Sequence, residues 1–213
     1  MKALVVSDVV SEVLYTSEIL SVCADVDVVL SCGDLPYEYL EYIVTMLDVP
    51  LLYVFGNHDR PLHRDDGRRT DGPEGGRSID GRVIALRTPS GARVLVAGFG
   101  GSMAYGGGSH QYTEREMRRR IRRAGWRLRW NERRYGRSVD VVVTHAAPLG
   151  IHDGEDVCHH GFKAFLGLMR RYRPPLLMHG HVHPSYGWDV EPRQFEATEV
   201  RSVYGYDVVG IGP

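Results

Sequence analysis

The sequence has almost no lysine: Lys2 and Lys163 stand alone, and the rest of its 26 basic side chains are arginines. Nor is there an excess of charge. The 27 acidic residues leave a formal net charge of −1, so no global field selects a nucleic acid or a membrane. Cysteine is scarce: Cys23, Cys32 and Cys158 form no C-x-x-C pair, and an odd count speaks against a disulfide framework. A reducing compartment is the expectation. No apolar run approaches the roughly 20 residues that span a bilayer. The first residues carry no charged segment followed by an apolar stretch and a small-residue cleavage site. Together these absences predict a cytoplasmic protein with no membrane partner. Hydrophobic residues at 43% and charged residues at 25% of 213 fit an ordinary globular chain, expected as one domain over residues 1–213.

What is present is a series of short runs rich in valine and leucine, at residues 3–6, 26–30, 51–55, 94–97, 139–143 and 176–178. Each is bounded by polar residues or glycine, the signature of strands covered on both faces. Helical spacing fills the gaps at 13–23, 37–47, 113–134 and 162–172. Pro36 suits a first helical turn, and Thr113 with Glu116 forms a capping box. Pro174 and Pro175 stop the last helix. The alternation predicts a layered α/β fold. Toward the C-terminus, 186–190, 195–200 and 204–209 read as successive antiparallel strands. Residues 58–81, rich in Gly, Asp and Arg, and 98–109, with six glycines, read as long loops of the kind that carry binding functions.

The residues suited to chemistry sit just after the strand-like runs. They are Asp8, Gly33-Asp34, Gly56-Asn57-His58-Asp59, His145 and Gly180-His181-Val182-His183. Strand ends in such sheets converge on a crevice. Carboxylate, amide oxygen and imidazole suit divalent Mn, Fe, Zn or Ni, and the set contains no thiolate of the kind that builds structural zinc sites. Taken singly, each block has a plainer reading. Asp8 would serve as a helix N-cap, Gly33-Asp34 and Gly56-Asn57 as turns, and His145 as a satisfied buried histidine. Five blocks in order, each behind a strand, favour the joint reading.

This order resembles the calcineurin-like metallophosphoesterase superfamily, whose blocks are D-x-H, G-D, G-N-H-[DE], H and G-H-x-H. The resemblance spans residues 8–183. It implies a β-sandwich flanked by helices in four αββα layers, and hydrolysis of a phosphomonoester or phosphodiester through a metal-activated water. It implies one or two divalent ions and a small phosphoester substrate. Asp34 would be shared by two ions, with Asp8 and His183 on the first and Asn57, His145 and His181 on the second. His58 would contact the phosphate and protonate the leaving oxygen, with Asp59 orienting it. Val10 stands where the family has its first-block histidine. The first ion would then be a ligand short and held more weakly.

That departure keeps a second reading open, a catalytically weak scaffold that binds metal or nucleotide. A third, a nuclease or nucleic-acid-processing subunit, rests on the arginines between Arg115 and Arg134. Arg118, Arg119, Arg120, Arg122 and Arg123 point all round a helix, which Ile121, Trp126 and Leu128 would anchor. A solvated helix face is the favoured reading, without a nucleic-acid partner. His152, Asp153, Asp156, His159 and His160 form a polar cluster read as a loop reaching over the metals, or else as a helix-capping loop. Tyr105, His110 and Tyr112 would line the pocket or decorate a surface turn.

Overall fold

Valine and leucine alternate their faces with period two along a strand, and both faces here need cover. The protein satisfies them by stacking two sheets and adding helices outside, as a computed structural model describes for residues 1–64, 67–183 and 190–212. The strands are β1 (Lys2–Ser7), β2 (Val28–Ser31), β3 (Leu51–Tyr53), β4 (Leu62–His63), β5 (Arg69–Thr70), β6 (Gly76–Ser78), β7 (Val83–Arg87) and β8 (Arg93–Phe99). There follow β9 (Ser102–Met103), β10 (Gln111–Tyr112), β11 (Val141–Thr144), β12 (Leu176–His179), β13 (Arg193–Phe195), β14 (Thr198–Ser202) and β15 (Gly205–Gly210). The helices are α1 (Ile19–Val22), α2 (Tyr37–Leu47), α3 (Glu114–Tyr135) and α4 (Lys163–Tyr172).

One sheet has the order β15-β1-β2-β3-β6, and the other β13-β14-β12-β11-β8-β7. Ala3, Val5, Val28 and Leu30 of the first sheet meet Val94, Val96, Val141 and Val143 of the second in the central core. The alternate residues Leu4, Val6 and Val29 face outward to Ile19, Tyr39, Leu40 and Ile43. On the other side, Val142 and Leu177 pack on Met117, Ile121, Leu128, Phe165 and Leu168 of α3 and α4. These are the four expected αββα layers. The inner strands pair in parallel, so their C-terminal ends share one edge of each sheet.

The expected elements recur with informative exceptions. The capping box forms: Glu116 N donates to Thr113 Oγ1 at 3.3 Å and Thr113 N donates to Glu116 Oε2 at 2.8 Å. The helix expected at 13–23 is broken into a 3-10 turn, Val13–Tyr15, and the four-residue α1. Thr16 is extended there, and its hydroxyl accepts from Glu18 N at 3.3 Å. A side chain that caps a new turn competes with helix continuation. Residues 58–81 hold the β4–β5 hairpin and the edge strand β6. β7, rich in apolar residues, was not expected and pairs antiparallel with β8.

The C-terminal expectation is corrected. Residues 195–200 are not one strand: Phe195 ends β13, residues 196 and 197 make the hairpin turn with Glu196 at φ 52°, and β14 begins at Thr198. β14 runs parallel to β12, whereas β15 crosses to the other sheet and pairs with β1. The strand expected at 186–190 lies outside the described residues apart from Val190. Trp126 is no anchor of α3: it is 64% exposed, while Ile121 and Leu128 are buried. Among the described residues no helix is long and apolar enough to cross a membrane.

Candidate metal centre

Asp8 follows β1, Asp34 follows β2, Asn57 follows β3, His145 follows β11, and His181 and His183 follow β12. The two sheets therefore deliver their loops to one place. One ligand atom from each of Asp34, His145 and His181 lies within 4.8 Å of the others. His145 Nε2 is 3.2 Å from Asp34 Oδ2 and 2.9 Å from Asn57 Oδ1. Asp8 Oδ1 lies 3.6 Å from His183 Nε2, and Asp8 Oδ2 accepts from His181 N at 2.8 Å. A pocket of about 460 Å³ opens here, lined by these two aspartates, Asn57, His58, Tyr105, Cys158, His159, His181 and His183. His145, fully buried, lies beneath it.

Backbone conformation sets the donors. Asp8, Asp34 and His181 have φ of 62°, 57° and 68°, in the left-handed region that side chains other than glycine seldom occupy. Such residues cost on the order of 1 kcal/mol each and cluster at functional sites. Their neighbours compensate: Ser7 Oγ donates to Asp8 Oδ2 at 2.5 Å, and His58 N donates to Asp34 Oδ1 at 2.8 Å.

Each imidazole has a defined role for its second nitrogen. His145 Nδ1 donates to Cys32 O at 2.8 Å, which aims Nε2 at Asp34 and Asn57. His181 Nε2 donates to Cys158 O at 2.7 Å, leaving Nδ1 as the nitrogen with a lone pair. This orientation by a carbonyl is the usual support of a metal-ligating histidine. Burial, with the charge of His145 beside it, pushes His181 down to about 3, so it stays neutral and able to ligate. The Asn57 amide is likewise fixed, since Nδ2 donates to Tyr105 Oη at 3.1 Å and Oδ1 is left facing His145.

Without a cation His145 donates from both nitrogens and carries a proton. Burial alone would lower its pKa, but the Asp34 carboxylate overrides this and raises it to about 9. Burial likewise tends to raise Asp34, and the His145 charge instead brings it to about 2. The sign follows. A pKa raised above the usual value near 6.5 stabilises the fold fully below that pH, and the benefit is lost as pH rises through about 9. Metal-free protein should thus lose thermal stability across that window on account of His145. Cation uptake must expel the same proton, so apparent affinity should rise over this window and level off above it. Calorimetric titration in buffers of different ionisation enthalpy measures the released proton. A pH-independent affinity would remove His145 from the ligand set.

The remaining expectations divide. The Asp59 carboxylate accepts from Gly56 N at 2.7 Å and Asp34 N at 3.3 Å. It ties two loops together, and the His58 ring is not among its hydrogen-bond partners. Burial raises it to about 6. The 152–160 loop does reach over the site: His159 lies with its ring 4.8 Å from that of His181. Asp153, however, caps the loop through Gly150 N and Gly161 N, and His152 turns inward. Its Nδ1 lies 2.9 Å from Nε2 of the fully buried His179, behind the His181 loop. Sequence reading missed the Cys158 carbonyl and the His152–His179 pair, since neither a backbone oxygen nor a buried imidazole pair leaves a motif. Tyr105 lines the pocket, the first of its two expected places. His110 instead stacks on Phe55, ring centroids 4.5 Å apart. Arg120 spans Asp80 and Gly100 O with Tyr112 beneath it, pinning the loop that carries Tyr105. Val10 is 36% exposed beside the first block.

The fold and the clustered donors define a layered α/β protein with a candidate metal centre. The sequence model of the calcineurin-like phosphoesterase family matches residues 1–185, and the chain belongs to that family, whose chemistry is metal-dependent phosphoester hydrolysis. No curated protein matches the chain. One solved structure, 14% identical, superposes with a TM-score of 0.64 over 99% of this chain and 97% of that chain. The crystal structure of TT1561 of Thermus thermophilus is 15% identical, with a TM-score of 0.59 over 96% of this chain and 89% of that chain. At these identities the likeness is one of fold.

Proposed function

We propose that the protein hydrolyses a small phosphomonoester or phosphodiester at this centre. The observation that carries the reading is the convergence of Asp34, His145 and His181 to within 4.8 Å at the ends of strands from both sheets. An oxygen and nitrogen donor set of this kind fits divalent Mn, Fe, Zn or Ni. In this reading Asn57, His145 and His181 would hold one cation and Asp8 and His183 another, with Asp34 within reach of both. Cations bound there would acidify water and supply positive charge to the phosphoryl oxygens.

The protein's own groups do the rest. His58 lines the pocket with an exposed side chain, while its backbone N–H is held by Asp34. Its imidazole is free to follow the leaving oxygen and give it a proton. Tyr105 holds the Asn57 amide in one orientation. Cys158 and His159 narrow the mouth, and a pocket of about 460 Å³ suits a small ester.

The test is turnover of an aryl phosphate and an aryl phosphodiester with Mn²⁺ in excess, paired with elemental analysis of the purified protein. The expected result is one tightly held ion per chain, a second added only in excess metal, and hydrolysis that rises with the second. Val10, which cannot ligate, motivates both the weak site and a second reading, a scaffold that keeps its ions without turnover. Full metal loading with neither ester hydrolysed would select that scaffold.

A further inference from the structure

The outer helices are unlike in charge. On one side α1 is uncharged and α2 carries Glu38 and Glu41, and residues 3–59 contain no lysine or arginine. On the opposite outer face α3 carries ten arginines against three glutamates, and α4 adds Lys163, Arg170 and Arg171 with no acid. A chain of net charge −1 is therefore strongly polarised, and one face attracts anions although the whole does not.

A groove of about 390 Å³ runs between α3 and α4. Ile121, Leu168 and Tyr172 form its apolar floor, and Arg122, Arg129 and Lys163 stand on its walls. These three cations are exposed, and among the described residues none of them is in an ion pair. Next to the groove on the same helix are Trp126 and Trp130, 64% and 41% exposed. Residues three or four apart are neighbours on a helix, so Trp126 sits between Arg122 and Arg129 and beside Trp130. The Arg127 guanidinium lies 4.5 Å from the Trp130 ring centroid, and much of each indole remains open. Tryptophan that faces water among arginines is out of place on a merely solvated helix face.

We propose that this face binds a single strand of nucleic acid, with the phosphates along the cationic groove and the bases on Trp126 and Trp130. A positive groove that follows a backbone, flanked by aromatic rings on which bases stack, is what single-strand binding requires. An anionic membrane fits less well. The two tryptophans are the only large exposed hydrophobic residues on α3 and α4, and an interfacial helix needs a broader apolar face to insert. An acidic peptide would use the arginines and leave the indoles without a role. The proposal does not depend on the metal centre. It departs from the expectation that the arginine run is only solvated.

The experiment is fluorescence anisotropy of labelled oligothymidylate and oligouridylate, about 12 nucleotides long, with the whole protein at low salt. Both strands should bind alike, with the logarithm of affinity falling linearly with that of salt at a slope of about −2 to −3. Arg122→Glu with Arg129→Glu should weaken binding at least about tenfold and flatten that slope. Trp126→Ala with Trp130→Ala should weaken it about tenfold and leave the slope unchanged. All four positions are solvent-exposed, so circular dichroism and hydrolysis of the aryl ester should match the parent. Absent binding, affinity that both double variants leave intact, or displacement of the strand by phosphatidylglycerol vesicles would each overturn the proposal.

Discussion

Asp34→Asn should lower turnover by about three orders of magnitude while the protein still folds. The substitution is nearly isosteric. Its remaining amide oxygen can go on accepting from His58 N, the 2.8 Å bond that holds the third-strand loop. What disappears is the negative charge 3.2 Å from His145 Nε2. In the proposed arrangement that carboxylate is the one group both cations share, so its loss weakens both sites together. The same change should bring the His145 pKa down from about 9, because burial would then act without the opposing carboxylate. Two measurements separate these effects. Metal content and rate should fall together, and the pH dependence of stability in the metal-free protein should flatten. A variant with full metal content and the parent rate would take Asp34 out of the centre.

Gly56→Ala should be comparably damaging, for steric reasons. A Cβ on Gly56 would come within 2.6 Å of Asp34 N and closer still to the Asp34 carboxylate. Gly33, at φ 99°, faces the same spot: a Cβ there would be 2.8 Å from Gly56 Cα. The obstacle is backbone on both sides, so no rotamer change relieves it. The loops after β2 and β3 would have to part. That would disturb the Asp59 carboxylate that ties Gly56 N to Asp34 N. A loss of about 1–3 kcal/mol in stability is expected, together with the tightly held ion. Thermal melts with and without Mn²⁺ check this: the parent should gain stability from the ion, and the variant should gain little. An equal gain in both would show that the close approach of these loops does not matter to the centre.

These two positions show how differently the parts of the site were written. Asp34, Asn57, His145, His181 and His183 could be read from residue type, order and position behind apolar runs. Strand periodicity is local, and parallel strands deliver their following loops to one edge. Gly56 could be read only as part of a block. That it must lack a side chain because Asp34 passes beside it depends on β2 and β3 being neighbours. The helix predicted at 37–47 formed as α2 over the same residues, because its spacing and proline start are local facts. The one predicted at 13–23 was broken by the Thr16 hydroxyl, a competition that hydrophobic spacing does not register. Of the C-terminal strands, the one at 204–209 was visible as a strand but not in its pairing. β15 leaves its neighbour β14 to join β1, nearly the whole chain away.

The sequence by itself determined the layered α/β class and the order of the donor blocks, and the family resemblance marked Val10 as a departure in the first block. Each strand-like run and each block depends on residues close together along the chain. Only the tertiary structure decided that Asp59 braces two loops and that Cys158 supplies the carbonyl that turns His181. It alone showed that Trp126 stands in water among arginines instead of anchoring its helix. Those outcomes depend on which surfaces meet after two sheets pack, and burial and backbone carbonyls carry no signature in residue order.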